Sequence, residues 1–290
     1  MPSYLVAGVT GQTGAVVAQS LLDQKQKVRV LVRDAAKAER WKKRGAEVAV
    51  GNLDDAHALA AAFRGVDAAY LLVPPPPHDA TGVLARAARM VAAYVQTVSG
   101  SHLKHVVFLS SVGAQQKEGT GIIGVLHAAE EALQPLKVPV TFLRASAFME
   151  NWAPMLGAAK EGQLPTFLPA DFKYPQVASH DIGLLAAALL SEHPKAHRVV
   201  ELAGPVEASS KDVAQVLSQL LGSEVVLVSN PASAQAKAME GFGFSAELSR
   251  LFQELTEGMA AGRVVFEHPE TVRRGKQTLE QTLGALLKRG

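Results

Sequence analysis

Three glycines, Gly8, Gly11 and Gly14, stand between a short apolar run at residues 4–7 and a stretch of helical periodicity. In that stretch Val16, Val17, Leu21 and Leu22 fall on one side and Gln19, Asp23 and Gln24 on the other. Strand, glycine turn and helix follow one another without a gap. A turn this tight calls for residues that lack a Cβ, because the backbone takes positive φ and comes close to a ligand. The helix that it opens aims free N–H groups and the positive end of its dipole at an anion. A dinucleotide pyrophosphate is the usual occupant of such a turn. The spacing is Gly-x-x-Gly-x-x-Gly rather than Gly-x-Gly-x-x-Gly, and a plain tight turn is the other explanation.

Further chemistry is expected where other strands end. Arg33 closes a β-branched run at residues 27–33. An acidic residue there would hold the ribose hydroxyls of NAD, and an arginine accepts the 2′-phosphate of NADP. Arg33 precedes Asp34 and lies nearer the ribose, its planar fork suits a phosphate, and Lys37 and Arg40 add positive charge. NADP is therefore expected in preference to NAD; the alternative is a solvated charge followed by a helix cap at Asp34. Asn52, in Gly51-Asn-Leu-Asp54, offers adenine both a donor and an acceptor, or else makes an Asx turn before a helix capped by Asp54. The prolines at 74–77 form a stiff loop that either walls the ligand or only connects. Ser110 and Ser111 end another strand, where a hydroxyl could meet a substrate oxygen or merely terminate the strand. His127, followed by Glu130 and Glu131, could donate a proton near working pH or be a surface histidine. His180-Asp181 reads as an N-cap pair. No metal-ligand spacing, nucleophile elbow or Walker motif occurs.

These positions need a scaffold, and the hydrophobic pattern supplies one. Strands are expected at residues 4–7, 27–33, 46–50, 66–73, 105–109 and 139–143, with helices at 34–44, 55–63, 81–98 and 121–136. The run at 66–73 is almost continuously apolar, as in strands buried on both faces. Such alternation specifies a Rossmann-type doubly wound parallel sheet with helices on both faces, its ligand beyond the C-terminal ends of the strands. After residue 148 the rhythm loosens. Helices are expected at 149–160, 181–191, 209–221, 231–260 and 268–289, strands at 198–202 and 225–228, and irregular or short-stranded chain at 163–177. The chain thus reads as a dinucleotide-binding domain, 1–150, and a smaller C-terminal α/β substrate lobe, 151–290, with some segments returning to the main sheet.

Composition narrows the class. The 290 residues are 48% hydrophobic and carry a net charge of +2, without cysteine. Disulfides, thiolate nucleophiles and cysteine metal sites are excluded, and a reducing compartment suits the chain. No basic run points to nucleic acid. No signal peptide is read at the N-terminus, and no apolar stretch reaches the ~18 residues of a membrane helix. A cytoplasmic protein without membrane or nucleic-acid partners is expected.

Several segments then occur together in order: Val9-Thr-Gly-Gln-Thr-Gly14, Leu31-Val-Arg-Asp34, Gly51-Asn-Leu-Asp-Asp55, Leu109-Ser-Ser-Val112 and Leu143-Arg-Ala-Ser-Ala-Phe-Met-Glu-Asn151. With His180-Asp-Ile-Gly183 and the stretch at 268–271, they resemble the NmrA-like branch of the atypical short-chain dehydrogenase/reductases. That group includes NADPH-dependent quinone oxidoreductases, triphenylmethane dye reductases and redox-sensing regulators. The resemblance implies that Gly8, Thr10, Gly11, Gln12, Thr13, Gly14 and Arg33 hold the cofactor's phosphates, with Asn52 and Leu53 beside adenine. It implies Val73, Pro74 and Ser110 near the ribose and nicotinamide, and Ala145, Ser146 and Phe148 on the far side. Ser111 and Asn151 would line the substrate pocket. One departure matters. Fully active short-chain dehydrogenases use Tyr-x-x-x-Lys, but the residues four beyond the four tyrosines are Gly8, Pro74, Val98 and Ala178. Some members keep only a lysine on the helix after strand five, where Leu126 or His127 stands.

Alcohol–ketone chemistry is therefore disfavoured, as is a sugar-nucleotide or terpenoid-type isomerase or reductase. The expectation is an NADPH-dependent oxidoreductase that transfers hydride to a flat conjugated acceptor such as a quinone, with His127 or water supplying the proton. The alternative is a non-catalytic NADP(H)-binding redox sensor, which would also need a regulatory protein partner. The sequence leaves the oligomeric state open, a homodimer included.

Overall fold

The computed structural model describes residues 2–288. In the first half, β1 (Ser3–Val6), α1 (Gln12–Asp23), β2 (Lys27–Val32), α2 (Glu39–Lys42), β3 (Glu47–Val50), α3 (Ala56–Phe63), β4 (Ala68–Leu72), α4 (Val83–Ser99), β5 (His105–Ser111), α5 (Gly124–Leu133) and β6 (Val140–Ala145) alternate. The second half adds β7 (Ala147–Phe148), α6 (Leu156–Lys160), β8 (Gln163–Thr166), β9 (Tyr174–Val177), α7 (Ser179–Leu190), β10 (Arg198–Ala203), β11 (Glu207–Ala208) and α8 (Ser210–Leu221). It ends with β12 (Val226–Ser229), α9 (Gln235–Gly241), α10 (Ala246–Ala260), β13 (Arg273–Arg274) and α11 (Leu279–Leu287).

Eight strands pair side by side, all parallel, in the order β13-β10-β6-β5-β4-β1-β2-β3. This is the doubly wound sheet that the alternation of patterns predicts. Its apolar strands are covered on both faces, as parallel strands must be. On one face Tyr4, Val6, Val107, Leu109 and Leu143 pack with Val17 and Leu21 of α1 and Ile182 and Ala186 of α7. On the other, Leu5, Leu71, Phe108 and Phe142 pack with Leu59 of α3, Met90 and Tyr94 of α4 and Leu133 of α5. The winding reverses between β1 and β4, because β2 and β3 lie to one side and β5 and β6 to the other. That reversal opens a crevice at the C-terminal ends of the strands.

A third cluster lies outside these two: Leu156 and Ala159 of α6, Leu164 of β8, Val213 and Leu217 of α8, and Leu279 and Leu283 of α11. Short sheets, β11-β9-β7 and β12-β8, accompany it. From there α9 and α10 reach back to the main sheet's helices. Glu247 accepts the N–H groups of Gly82 and Val83 at the start of α4, at 2.6 and 3.0 Å.

Several expected helices are interrupted. Residues 34–44 split into a 3-10 turn, Ala35–Ala38, and the short α2. Residues 149–160 begin as a 3-10 segment with Pro154 inside it, and proline cannot donate an α-helical hydrogen bond. Residues 231–260 break at 242–245, where Ser245 starts α10 by capping it. Among the described residues of the stretch expected at 268–289, only α11 is α-helical. Arg273 and Arg274 instead pair with Leu202 and Ala203 as the edge of the sheet, and Thr278 opens α11 through a capping box with Gln281.

Candidate functional site

The glycine turn closes the end of β1. Ala7 N donates to Tyr70 O at 3.0 Å, Gly8 turns the chain at φ +68°, and Gly11 N donates back to Gly8 O at 2.9 Å. Gly14 packs so closely that a Cβ there would lie 2.5 Å from both Ala7 O and Gly8 O. Gly11 is the N-cap of α1, which has no side-chain cap and no acidic residue in its first turn. Its leading N–H groups are thus left for an external anion. Thr10, Gly11 and Gln12 are exposed, whereas Thr13 is buried and its hydroxyl accepts from Tyr70 Oη at 2.9 Å. Burial pushes the Tyr70 phenol above its ordinary range and keeps it a donor.

At the ends of β2 and β3 the charges sort themselves. Arg29, Lys42 and Arg44 pair with Glu47, Glu39 and Asp23, whereas Arg33 is exposed and meets no carboxylate among the described residues. Asp34 accepts Ala36 N at 2.9 Å, so it caps the following turn rather than facing a ribose. Arg40 donates to Val9 O at 2.6 Å, and its guanidinium lies 4.6 Å above the Trp41 ring. A second cation therefore leans on the outer side of the glycine turn. Asn52 is exposed and Leu53 half-buried. Asp55 caps α3, accepting from His57 N and Ala58 N; the cap expected at Asp54 is one residue later.

Beyond β4, Val73 and Pro74 are half-buried at the crevice side of the proline loop, and Leu72 O accepts from Tyr94 Oη at 2.8 Å. Ser110 faces α5, where its hydroxyl donates to Glu130 Oε1 at 2.5 Å. Ser111, half-buried, donates to Val112 O. His127 lies one helical turn before Glu130 and makes a 2.8 Å hydrogen bond through Nδ1 to Ala114 O. A carbonyl only accepts, so Nδ1 carries the proton and Nε2 is the exchangeable end. Ala145 packs into the core beside α7. Ser146 is 3% exposed, and its hydroxyl meets no partner among the described residues. Phe148 is half-buried and Asn151 exposed.

The residues present fit a dinucleotide. The glycine cradle excludes a Cβ, the uncapped helix start offers N–H groups, Arg33 is an unpaired cation, and Ser146 holds a buried hydroxyl without a partner. Among the described residues, where Arg33 meets no carboxylate and the Ser146 hydroxyl no partner, each is the complement of a group that such a cofactor carries.

Two features escape sequence reasoning. Glu150, inside the Leu143–Asn151 segment, supplies the cap of α7 by accepting Ser179 N at 3.0 Å and Ser179 Oγ at 2.5 Å. His180-Asp181 does not cap that helix; Asp181 instead accepts Lys276 N and Gln277 N at 2.8 Å. The buried Arg144–Glu130 pair is the second, and only the presence of charge inside apolar runs could have signalled it.

Residues 3–280 match the model of the NmrA-like family, in agreement with the resemblance carried by the motifs. An NAD(P)H azoreductase of Xenophilus azovorans is 28% identical over 253 residues, 87% of this chain and 85% of that protein. A (4-alkanoyl-5-oxo-2,5-dihydrofuran-3-yl)methyl phosphate reductase of Streptomyces griseus subsp. griseus is 31% identical over 226 residues, 75% of this chain and 73% of its own length. An NADPH-dependent quinone oxidoreductase of Escherichia coli, solved with NADPH, superposes with a TM-score of 0.83 at 23% identity, over 98% of this chain and 99% of that one. This last likeness is one of fold.

Proposed function

The chain belongs to the NmrA-like family, and on that premise we propose that it is an NAD(P)H-dependent oxidoreductase that reduces a conjugated acceptor such as a quinone or a dye, taking NADPH in preference to NADH. The observation that carries this reading is the glycine turn, with the Gly14 cradle and the uncapped start of α1; Arg33, at the end of the neighbouring β2, is exposed and meets no carboxylate among the described residues. The bound nicotinamide would supply the hydride. The protein supplies the rest.

The leading N–H groups of α1, reached across Gly8, Thr10, Gly11, Gln12, Thr13 and Gly14, hold the pyrophosphate. Thr13 contributes through its backbone, because its hydroxyl is already engaged by Tyr70. Arg33 takes the 2′-phosphate with its fork, which is the reason for preferring NADPH. Asn52 and Leu53 flank adenine, Val73 and Pro74 wall the ribose, and Ser146 offers its hydroxyl toward the nicotinamide side with Ala145 and Phe148. Ser110 contributes position rather than a free hydroxyl, since Glu130 holds it. His127 Nε2, or a water in its place, gives the proton that accompanies the hydride. Ser111 and Asn151 border the acceptor, and the part of the second half that does not return to the main sheet, with α6, α8 and α11, forms the lobe that closes over it.

The Tyr-x-x-x-Lys acid is absent from the sequence, and the hydroxyls of Tyr70 and Tyr94 are engaged by Thr13 and Leu72 O. An acceptor that is already electrophilic needs little acid assistance, and holding the two partners face to face supplies much of the rate. A cysteine-free chain suits the cytoplasm.

The test is steady-state oxidation of NADPH and of NADH by purified protein with a panel of quinones and azo dyes. Turnover with NADPH favoured is expected. No consumption of either cofactor with any acceptor would overturn the enzyme reading and leave that of a redox sensor.

A further inference from the structure

The outer faces of α1, α2 and α7 border a cavity of about 670 Å³, a size that suits a small molecule. None of the residues assigned above to the cofactor or the acceptor lines it. Ala15 and Val16 of α1 and Leu184 of α7, 42% exposed, give it apolar walls. Arg40 of α2 and Arg44 just beyond α2 stand along a third side, and His180 faces the cavity from the first turn of α7.

Most of the hydrogen-bond donors on these walls have no acceptor. Arg40 engages Val9 O through Nη2 at 2.6 Å, and its guanidinium lies 4.6 Å above the Trp41 ring. A guanidinium carries five N–H groups, and the others of Arg40 meet no acceptor among the described residues. Arg44 donates to Asp23 at 3.0 Å, and Gln19 donates to both oxygens of the same carboxylate at 2.7 Å. The cavity thus sets two guanidiniums against one carboxylate, which Arg44 and Gln19 already share. His180 is exposed, and its ring makes no hydrogen bond among the described residues. Trp41, also lining the cavity, is 3% exposed, and its indole N–H has no partner among the described residues.

We propose that this cavity is a second ligand site, taking a small organic oxyanion whose phosphate or carboxylate head meets Arg40 and whose apolar body lies along Ala15, Val16 and Leu184. The planar fork of a guanidinium matches such a head. A bare ion would leave the apolar walls uncovered, and a neutral apolar molecule would leave the donors of Arg40 without an acceptor. The site is separate from the pyrophosphate cradle of the glycine turn, and Arg40 joins the two through Val9 O.

The test is calorimetric titration of NADP⁺-saturated protein with phenyl phosphate in Tris chloride, so that the glycine turn is already occupied. Saturable binding is expected. Arg40→Ala should weaken it about tenfold, the effect of losing a hydrogen bond to a charged group. Leu184→Glu, which sets a carboxylate on the opposite wall, should weaken it by a similar factor without touching Arg40. Inorganic phosphate and benzyl alcohol, each carrying one half of the probe, should bind more weakly than phenyl phosphate. No saturable binding by wild type, or binding that neither substitution weakens, overturns the second site. Inorganic phosphate bound as tightly as phenyl phosphate overturns it too, since the apolar walls would then take no part. If NADP⁺ itself does not bind, the cofactor reading has failed separately, and the same titrations of the free protein and its two variants decide on the cavity.

Discussion

Arg144 and Glu130 face each other inside the protein, with Nε donating to Oε1 at 3.0 Å and Nη2 to Oε2 at 2.6 Å. Their side chains are 6% and 7% exposed. Ser110 adds a third donor to Glu130, and Glu267 takes the other arm of Arg144 at 2.5 Å. Glu201, also buried, accepts the N–H groups of Glu267 and His268. One charged cluster thus joins the C-terminal ends of β5, β6 and β10 to α5 and to the segment that leads into β13. In this way β6 sets the height of α5, and with it the position of His127.

Removing one member of such a pair strands a buried charge. Arg144→Met should therefore cost about 3–5 kcal/mol, whereas Arg144→Met combined with Glu130→Leu should cost clearly less, because no uncompensated charge remains. Urea denaturation of the three proteins checks this. A double variant as unstable as the sum of two such losses would mean that the pair is worth more than its burial costs.

Gly14→Ala drives a Cβ to 2.5 Å from two backbone oxygens that have no freedom to retreat. The turn must open, at a cost of about 1–3 kcal/mol in stability, and affinity for NADPH should fall at least tenfold. Gly157→Ala is the control, since a Cβ there meets nothing within 4 Å and the residue lies in α6. That change should be neutral or stabilising by about 0.5–1 kcal/mol. Calorimetric titration with NADPH, together with thermal unfolding, separates the two.

Arg33→Ala should weaken NADPH binding by about 1.5–3 kcal/mol, the worth of a hydrogen bond to a charged group, and leave NADH nearly unchanged. Titration with both cofactors in one buffer tests it. Equal losses for the two would make Arg33 a strand-end charge, and Arg40, seated on Trp41 beside Val9, the next candidate for the phosphate.

His127→Ala should lower turnover, if Nε2 delivers the proton while Ala114 O holds Nδ1. Loss of a general acid is typically worth 10²–10⁴-fold, and water in the emptied space would bring the loss toward the lower end. Turnover equal to wild type would assign the proton to solvent.

The first half of the fold was legible because its signals are local. Residues 4–14 carry an apolar run, three glycines and a helical period within one stretch, and each later strand announces itself by its own β-branched or apolar run. Pairing over long distances leaves no such mark. Arg273 and Arg274 look like any charged loop, and only the free edge of β10, 70 residues earlier, makes them a strand. Glu150 caps a helix 29 residues away, and Glu130 finds Arg144 only because α5 lies over β5 and β6. Ser110 illustrates the consequence for the site: its place at a strand end was readable, but whether its hydroxyl faces the crevice or Glu130 depends on a residue whose position no local pattern gives.

His105 provides a pH signature distant from the crevice. It lies at the start of β5, 1% exposed, with Nε2 at 2.8 Å from Thr141 Oγ1 and Nδ1 without a partner among the described residues. Burial, reinforced by the neighbouring Arg198, pulls its pKa from 6.5 down to about 4. The folded protein keeps this imidazole neutral, while the unfolded chain takes up a proton as pH falls below 6.5. Stability is therefore present in full above that pH and is lost as pH drops from 6.5 toward 4, by up to about 3 kcal/mol. His105→Gln retains a polar contact to Thr141 but cannot titrate, so its urea midpoint should fall less steeply across that interval, and the two curves should converge as pH decreases. Parallel curves would mean that His105 is already protonated in the folded state at pH 5, with its charge accommodated by Glu192, whose carboxylate acts in the opposite direction to burial.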